Sequence, residues 1–543
     1  MGNILAPLTG LTDLGKLQAM GKRRKVLYVI GVSAAAVLAG LWIAASIIAR
    51  RFEPYIRQQA IDYLRTGFES EVELNSLRVT MPEVSALRLL MTGGRGTLAS
   101  VKGEGLILRH KGRRDLPPMF AIKRFNFDID LGTVFRTPKL VPFLSLEEME
   151  INVPPKGERP EVGINPEQGL RQLGGATVLI RTVEIKRGKL VILPKDLEKK
   201  PLEFELHRVR LVSAGLGVAM KYNAELSNPR PPGEVRSQGE VGPWIADEPG
   251  NTPLAGEYVF ENANLGVFPA IAGILRSTGD FEGTLDFVNV KGQASVPDFH
   301  LRRSGNRLPL EAQFEVVVDG TNGNTVLNPV VARLGSTQLK TSGGVIKNKG
   351  ELRRTIKLDV NMPRGDMRDI LRLAMKGPPL MEGQLALATH VQVPPLDQRV
   401  REKLVVDGQF QVARGKFLRP HLQDKVDSLS RRGQGQPKNE EIDEVFSHMT
   451  GRFRLDDQVI TFRKLTFAVP GAEIDLAGKY DLAQDALDLH GHLKLTAKLS
   501  QTQTGWKRWL LKPVDPIMAK QGAGTYIAIK VQGTSKEPKF GRE

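Results

Sequence analysis

From about residue 70 to the C-terminus, apolar and polar residues alternate in short runs. "VEIKRGKLVIL" places Val183 and Ile185 before Arg187–Gly188, with Leu190 and Ile192 after it. "GQFQVARGKFL" (Gly408–Leu418) repeats the idea, and "GRFRLDDQVITFRKLTF" does so with Asp456–Asp457 in the middle. A period of two, broken by turn residues, predicts strands joined as hairpins. The units recur without a fixed spacing, so they are a recurring module and not a sequence repeat. Asp319–Gly320 and Asn322–Gly323 supply further turn material. Two stretches read as helical interruptions, "MRDILRLAMK" (Met367–Lys376) and "NEEIDEVFSHM" (Asn439–Met449), the second following a polar loop "SRRGQGQPK".

The N-terminal part follows a different pattern. Val26–Ala49, "VLYVIGVSAAAVLAGLWIAASIIA", carries no charged residue. A helix of that length spans a hydrocarbon core of roughly 30 Å. "KRRK" precedes it, and Arg50 and Arg51 follow. A signal peptide would have a shorter apolar core, so an uncleaved transmembrane anchor over 26–49 is the expectation. Lys and Arg are slightly denser before the run than after it, which points to a cytoplasmic N-terminus. Phe52, Tyr55, Ile56, Ala60, Tyr63 and Leu64 then recur at spacings of three and four, predicting an amphipathic helix over 52–66. Pro54 suits its first turn and Gly67 its end. Val72, Leu74, Leu77 and Val79 follow as a strand. The helix suits either of two places, lying on a bilayer surface or packed across the first edge of a sheet.

Composition narrows the chemistry. Lys and Arg total 77 against 60 Asp and Glu, a net charge of +17, which favours anionic neighbours. Aromatics are only 6% and the basic residues are spread along strands, so nucleic-acid reading lacks its hardware. There is no cysteine, hence no disulfide framework, zinc-thiolate site or cysteine nucleophile. Eight histidines are scattered; only His490 and His492 share one strand face, and two such residues hold a metal poorly. "GGRG" (Gly93–Gly96) lacks the strand–loop–helix setting of a dinucleotide site, and no Gly-Lys-Ser/Thr phosphate loop exists. Glu440, Glu441, Asp443 and Glu444 read as the solvent face of a helix. No converging set suggests an enzyme, and no cofactor or metal is expected.

The last hundred residues say most. Leu455, Ile460, Phe462, Leu465, Phe467, Ile474, Leu476, Leu493 and Leu495 occupy alternate places, with Arg454, Thr466, Asp475 and Lys494 between them. One face of this sheet is apolar and the other wet. The apolar face closes either into a sandwich core or, on a long curved sheet, into an open trough for acyl chains; periodicity fits both.

The ordered phrases "GRFRLDDQVITFRKLTFAVPGAEIDLAGKYDL" and "LKLTAKLSQTQTGWKRWLLKPVDPIMAKQGAGTYIAIKVQGTSKEPKFG", with the anchor–helix–strand opening, resemble the AsmA family. Val531–Gly533–Thr534 through Pro538–Phe540 carry its C-terminal pattern. The likeness covers the anchor with residues 50–80 and the chain from about 265 to 543; about 100–260 matches only in texture. Such proteins are inner-membrane-anchored, periplasmic and related to bridge-like lipid carriers of the chorein type. The resemblance implies a mainly β fold: a transmembrane helix, an amphipathic helix, and an elongated, curved antiparallel β-sheet forming a groove, with a few short helices. It divides the chain into a cytoplasmic segment 1–25, the anchor 26–49, an N-terminal groove region 50–264 and a C-terminal region 265–543. It implies a single-pass bacterial inner-membrane protein, with the bulk of the chain periplasmic. The nine apolar residues above would line the groove, and Phe52, Tyr55, Ile56, Tyr63 and Leu64 would cap its membrane end. Its partners would be the inner membrane, phospholipids and periplasmic or outer-membrane assembly proteins, and its role phospholipid transport between the two membranes or outer-membrane biogenesis. A scaffold for outer-membrane protein assembly that carries no lipid is the alternative.

Overall fold

A computed structural model describes residues 33, 36, 39–40, 54–62, 64–65, 70–80, 95–110, 112–133, 139–153, 178–193, 201–214, 219–243, 245, 249–320, 323–347, 354–395, 400–437, 444–519, 524–535 and 537–542. The expected anchor 26–49 lies outside them except for Ser33, Ala36, Ala39 and Gly40, which are helical and exposed. Among the described residues no helix is long and apolar enough to cross a membrane. The chain divides into two compact units, one of Met1–Pro201 with Arg210–Leu216 and one of Leu202–Val209 with Gly217–Glu543. Both are mainly β; the described residues hold strands β1 to β25.

In the first unit, helix α1 (54–62) precedes β1 (Ser70–Thr80). Arg57 Nη2 donates to the Leu74 carbonyl at 2.9 Å, and Ile56 is buried. The helix thus lies against β1 and satisfies one of its outward carbonyls, as a cover for a sheet edge should. Tyr55 is exposed and Leu64 half-buried, while Phe52 and Tyr63 fall outside the described residues. Antiparallel pairing runs from β1 through β2 (Leu98–His110) and β3 (Phe120–Asp130) to β5 (Phe143–Val153). In register, Val72, Leu108, Phe120 and Ile151 make one apolar row, and Leu74, Leu106, Ile122 and Met149 the next.

The expectation of an all-antiparallel sheet needs correcting here: β5 pairs with β6 (Val178–Ile192) in parallel. A parallel neighbour requires a crossover of a dozen residues or more, and residues 154–177 separate the two strands. The expected hairpin at Arg187–Gly188 is also absent, because β6 runs straight through that dipeptide. Of the pair, only Arg187 has positive φ, at 52°. A two-residue turn of type I′ needs positive φ at both centres. One left-handed residue instead kinks a continuing strand.

In the second unit every neighbour is antiparallel, from β8 (Met220–Pro229) to β25 (Pro538–Arg542). The Arg-Gly lesson repeats on β19 (Val405–Phe417), another unbroken strand, where Arg414 has φ 52° and the register to β20 (Ser447–Asp456) shifts between Val412 and Gly415. The hairpin from β20 to β21 (Val459–Val469) does form. Its turn centres on Asp457 and Gln458, at φ 45° and 63°, one residue beyond the expected Asp456–Asp457. Helix α2 (Met367–Ala374) is present where expected, capped by Asp366, which accepts from Arg368 N at 2.8 Å.

Of the acidic stretch 439–449 expected to be helical, the described residues 444–449 are not. Glu444 precedes β20, which already includes Ser447–Met449, while residues 439–443 lie outside the described residues. Helix α3 (Pro420–Gly433) lies before it and takes in the start of the segment read as loop. Pro420 occupies its first turn, and Leu422, Val426 and Leu429 recur at helical spacing.

Candidate functional site: the apolar face of the second unit

In an antiparallel ladder, directly opposed residues point to the same face. Register therefore sorts the side chains of the second unit without ambiguity. At one end, Tyr222 of β8, Gly239 of β9 (Pro232–Val241), Gly256 of β10 (Pro253–Asn264) and Phe281 of β12 (Ile274–Thr284) form one row. The next row is Ala224, Ser237, Tyr258 and Gly279, continuing to Gly292 of β13 (Phe287–Leu301) and Phe314 of β14 (Leu308–Val318). Further along, Met362 of β17 (Thr355–Asp366), Leu387 of β18 (Met381–Val393), Phe410 of β19 and Gly451 of β20 are opposed in turn.

The nine residues expected to line a groove fall on this face together. Leu465 and Leu476 are opposed, as are Phe467 and Ile474, and Ile474 and Leu493, across β21, β22 (Ala472–Asp481) and β23 (Ala486–Leu495). Leu455 is opposed to Ile460, and Phe453 to Phe462. The rows continue onto β24 (Thr525–Gly533), where Ile527 meets Leu493 and Val531 meets Leu489. From β8 to β24, omitting the two-residue β11 (Ile271–Ala272), sixteen strands contribute to this face. At about 4.8 Å per strand the contour is roughly 70 Å. The alternation in "EAQFEVVV" and "GEYVFEN" marks the earlier strands as two-faced, but only register shows that their apolar sides join those of the C-terminal strands.

Burial along the face is uneven. Tyr222, Tyr258, Phe281, Phe314, Leu358, Phe410, Phe453, Phe462, Leu465 and Leu476 are half-buried. A facing sheet about 10 Å away would bury such side chains fully. Val288, Leu489 and Val531 are buried singly on this face, and clustered full burial is found where helices cover strand ends. Under α2 and its neighbours, Met362, Met381, Leu385 and Val412 form one cluster, with Leu387, Phe410 and Met449 packed against it. Under α3, Val426, Val445, Val469, Ala472 and Leu495 form a second, joined by Phe467 and Leu493. Of the nine expected lining residues, Leu495 is thus core, Phe467 and Leu493 edge a core, and the other six are half-buried.

Glycines on this face are opposed to aromatic rings. A Cβ on Gly451 would lie 2.5 Å from Phe410 Cε1, and one on Gly292 would lie 2.9 Å from Phe314 Cζ. The rings reach over the glycines into the space a side chain would take.

The opposite face is polar. Arg236–Glu261 (2.6 Å), Arg333–Glu311 (2.6 Å) and Lys291–Glu315 (3.8 Å) are ion pairs on it. Near the C-terminus Lys494 reaches Glu473 at 2.8 Å and Asp475 at 2.7 Å, and Asp475 also accepts from Thr466 Oγ1 at 2.7 Å. The hydrogen bonds that Lys494 donates to Asp475 and Glu473 hold its ammonium well above its usual range. Partial burial pushes the Asp475 carboxyl up, but the bonds from Lys494 and Thr466 outweigh it and leave the group below the usual carboxylate range.

Clefts of about 930 Å³ and 730 Å³ open on this polar side, walled by Glu225, Arg236, Glu257, Asp280, Lys291 and Glu315 in the larger case. Charged side chains such as Lys291 and Glu315 keep the larger one hydrated, although Val259, Pro329 and Val331 also line it. His490 and His492 also lie here; His490 Nε2 is 3.1 Å from Asp488 Oδ1, and the His492 ring stacks 4.6 Å from that of Tyr526. Among the described residues no group of three or more His, Cys, Asp or Glu side chains could hold a metal ion.

Comparison with family models, curated proteins and solved structures finds no match to this chain. What defines it is an open, mainly β unit with one continuous apolar face and one charged face.

Proposed function

We propose that this protein is a membrane-anchored, non-enzymatic carrier that shelters phospholipid acyl chains along the apolar face of its second unit. The observation behind the reading is that the face continues across sixteen strands while its central side chains stay half-buried. An uncovered apolar surface of this extent marks a binding surface in a water-exposed protein. Acyl chains laid on it would leave water, at about 0.8 kcal/mol per buried CH₂, while the ionised headgroup stays in solvent. The glycine–aromatic rows give a low bed along the face. That suits a surface selective for acyl chains.

The sequence resemblance supplies the setting: an anchor at 26–49 in the bacterial inner membrane, a periplasmic β body, and phospholipid transport between inner and outer membranes in support of outer-membrane biogenesis. Helix α1 lies on the edge of the first unit's sheet, which fits a cap at the membrane-proximal end. The alternative, a lipid-free scaffold for outer-membrane protein assembly, uses the same face as a closed protein interface.

Mass spectrometry of lipids held by the full-length protein after exchange into a lipid-free detergent separates the two. Glycerophospholipid should co-purify with it, and Leu465→Glu together with Phe314→Glu should strip that lipid from a folded protein. A protein that folds, binds a partner stably and holds no lipid would overturn the carrier reading.

A further inference from the structure

The structure assigns a second membrane contact, independent of the apolar trough: the excursion between β23 and β24 is a docking platform for an anionic phospholipid bilayer. It goes beyond the carrier reading, since docking requires no ligand on the sheet. The excursion has a fixed base and an exposed tip. At the base Leu499, Ser500, Thr502 and Asp515 are buried. Asp515 Oδ1 accepts from Ser500 N at 2.8 Å, and Asp515 Oδ2 from Ser500 Oγ at 2.7 Å. Thr525 Oγ1 ties the return to the Ala497 carbonyl at 2.8 Å.

On this base stand α4 (Trp506–Leu511) and α5 (Asp515–Met518). Their outer side carries Trp506, Trp509, Leu510 and Ile517, exposed by 70%, 72%, 63% and 72%. Trp506, Trp509 and Leu510 are spaced i, i+3, i+4 and share one helix face. Side chains this apolar and this exposed, gathered at one tip, need a partner.

Charge says which partner. Lys507, Arg508 and Lys512 are all exposed, and Lys512 Nζ also lies 4.1 Å from the Trp509 ring centroid. From Lys498 to Ala519 the only carboxylate is Asp515, buried and already bonded to Ser500. The tip is therefore cationic without an exposed acid. A protein surface of mixed charge finds no complement in it. An anionic bilayer surface does: tryptophan sits at the headgroup level and Lys/Arg meet phosphate.

The native chain has no cysteine, so Leu510→Cys can carry a single environment-sensitive fluorophore in the full-length protein. The protein, held in phosphatidylcholine nanodiscs, is offered vesicles of phosphatidylcholine alone or of phosphatidylcholine with phosphatidylglycerol at about 7:3. Emission should shift to the blue with the anionic vesicles, recede at high salt, and be quenched by brominated acyl chains in them. The same label at Lys479→Cys, on the polar sheet face, should not respond. Trp506→Ala with Trp509→Ala should weaken the vesicle response by about tenfold or more, and circular dichroism should stay unchanged because both rings are exposed. Equal response to neutral vesicles would overturn the anionic partner. No response to either vesicle type would overturn the platform as a membrane contact and leave its tip to a protein.

Discussion

Phe410 and Gly451 face each other across β19 and β20, and the ring occupies the space that a side chain on Gly451 would need. The pairing explains a glycine in the middle of a strand, where it otherwise weakens the ladder. It also keeps a bulky residue from rising above the apolar face. Gly451→Val should force the ring off its position and destabilise the second unit by about 1–3 kcal/mol, the usual range for overpacking. Chemical denaturation followed by circular dichroism measures it; a shift under about 0.5 kcal/mol, the range of ordinary surface changes, would show that the ring moves aside freely.

Asp369 ties α2 to the hairpin between β15 (Thr325–Leu334) and β16 (Thr337–Ile346). The buried carboxylate accepts from Ser336 N at 2.8 Å, Ser336 Oγ at 2.7 Å and Thr337 Oγ1 at 3.1 Å. Asp369→Ala removes the acceptor of three donors: Ser336 is exposed and can turn to water, but the orphaned hydroxyl of buried Thr337 costs about 1–3 kcal/mol. The loss should appear as faster hydrogen exchange in α2 and the 335–337 turn, ahead of global unfolding. Unchanged protection there would mean that packing of Ile370 and Leu371 holds the helix alone.

The Lys494 cluster gives a pH dependence of definite sign. Asp475 is depressed in the fold, so its contribution is full above the unfolded carboxylate value of about 3.9 and is lost as pH falls through the lower folded value. Lys494 is raised, so its contribution is full below the unfolded value of about 10.4 and fades as pH climbs through the higher folded one. Between those limits the cluster stabilises steadily, by a small amount because both groups remain partly in water. Lys494→Met should lower the stability near neutral pH and flatten its decline at strongly acidic pH. An identical acid limb in wild type and variant would remove the cluster from the account.

Strands and their two faces could be read from alternation, and α2 from the spacing of Met367, Ile370 and Leu371. Turns were harder. Arg187–Gly188 and Arg414–Gly415 look like hairpin centres, yet a single left-handed arginine leaves each strand running on. Helix α3 was masked by its polar outer face; its inward side is little more than Leu422, Val426 and Leu429. The apolar face of the C-terminal strands could be read strand by strand. Its extension to Tyr222, Phe281 and Phe314 could not, since period two says nothing of which strands are neighbours. The exposed Trp506 and Trp509 went unnoticed because sequence cannot tell an outward helix face from an inward one.

The two faces of β21 and β22 offer the most direct test of the trough. Leu465 and Leu476 are opposed on the apolar side and half-buried. Thr466 and Asp475, opposed on the other side, are hydrogen-bonded to each other at 2.7 Å. A photo-crosslinking residue at Leu476 should therefore capture phospholipid in living cells, and the same residue at Thr466 or Asp475 should capture little. Phe467 is a weaker probe: it packs against the cluster under α3 and should crosslink mainly within the protein. Phe314, far along the face and outside both helix-covered clusters, should behave like Leu476 if lipid travels the contour. Capture at Leu476 without capture at Phe314 would confine the ligand to the C-terminal strands. Lipid labelling of Asp475 equal to that of Leu476 would point to contact of the basic surface with a bilayer, and the carrier reading would fall.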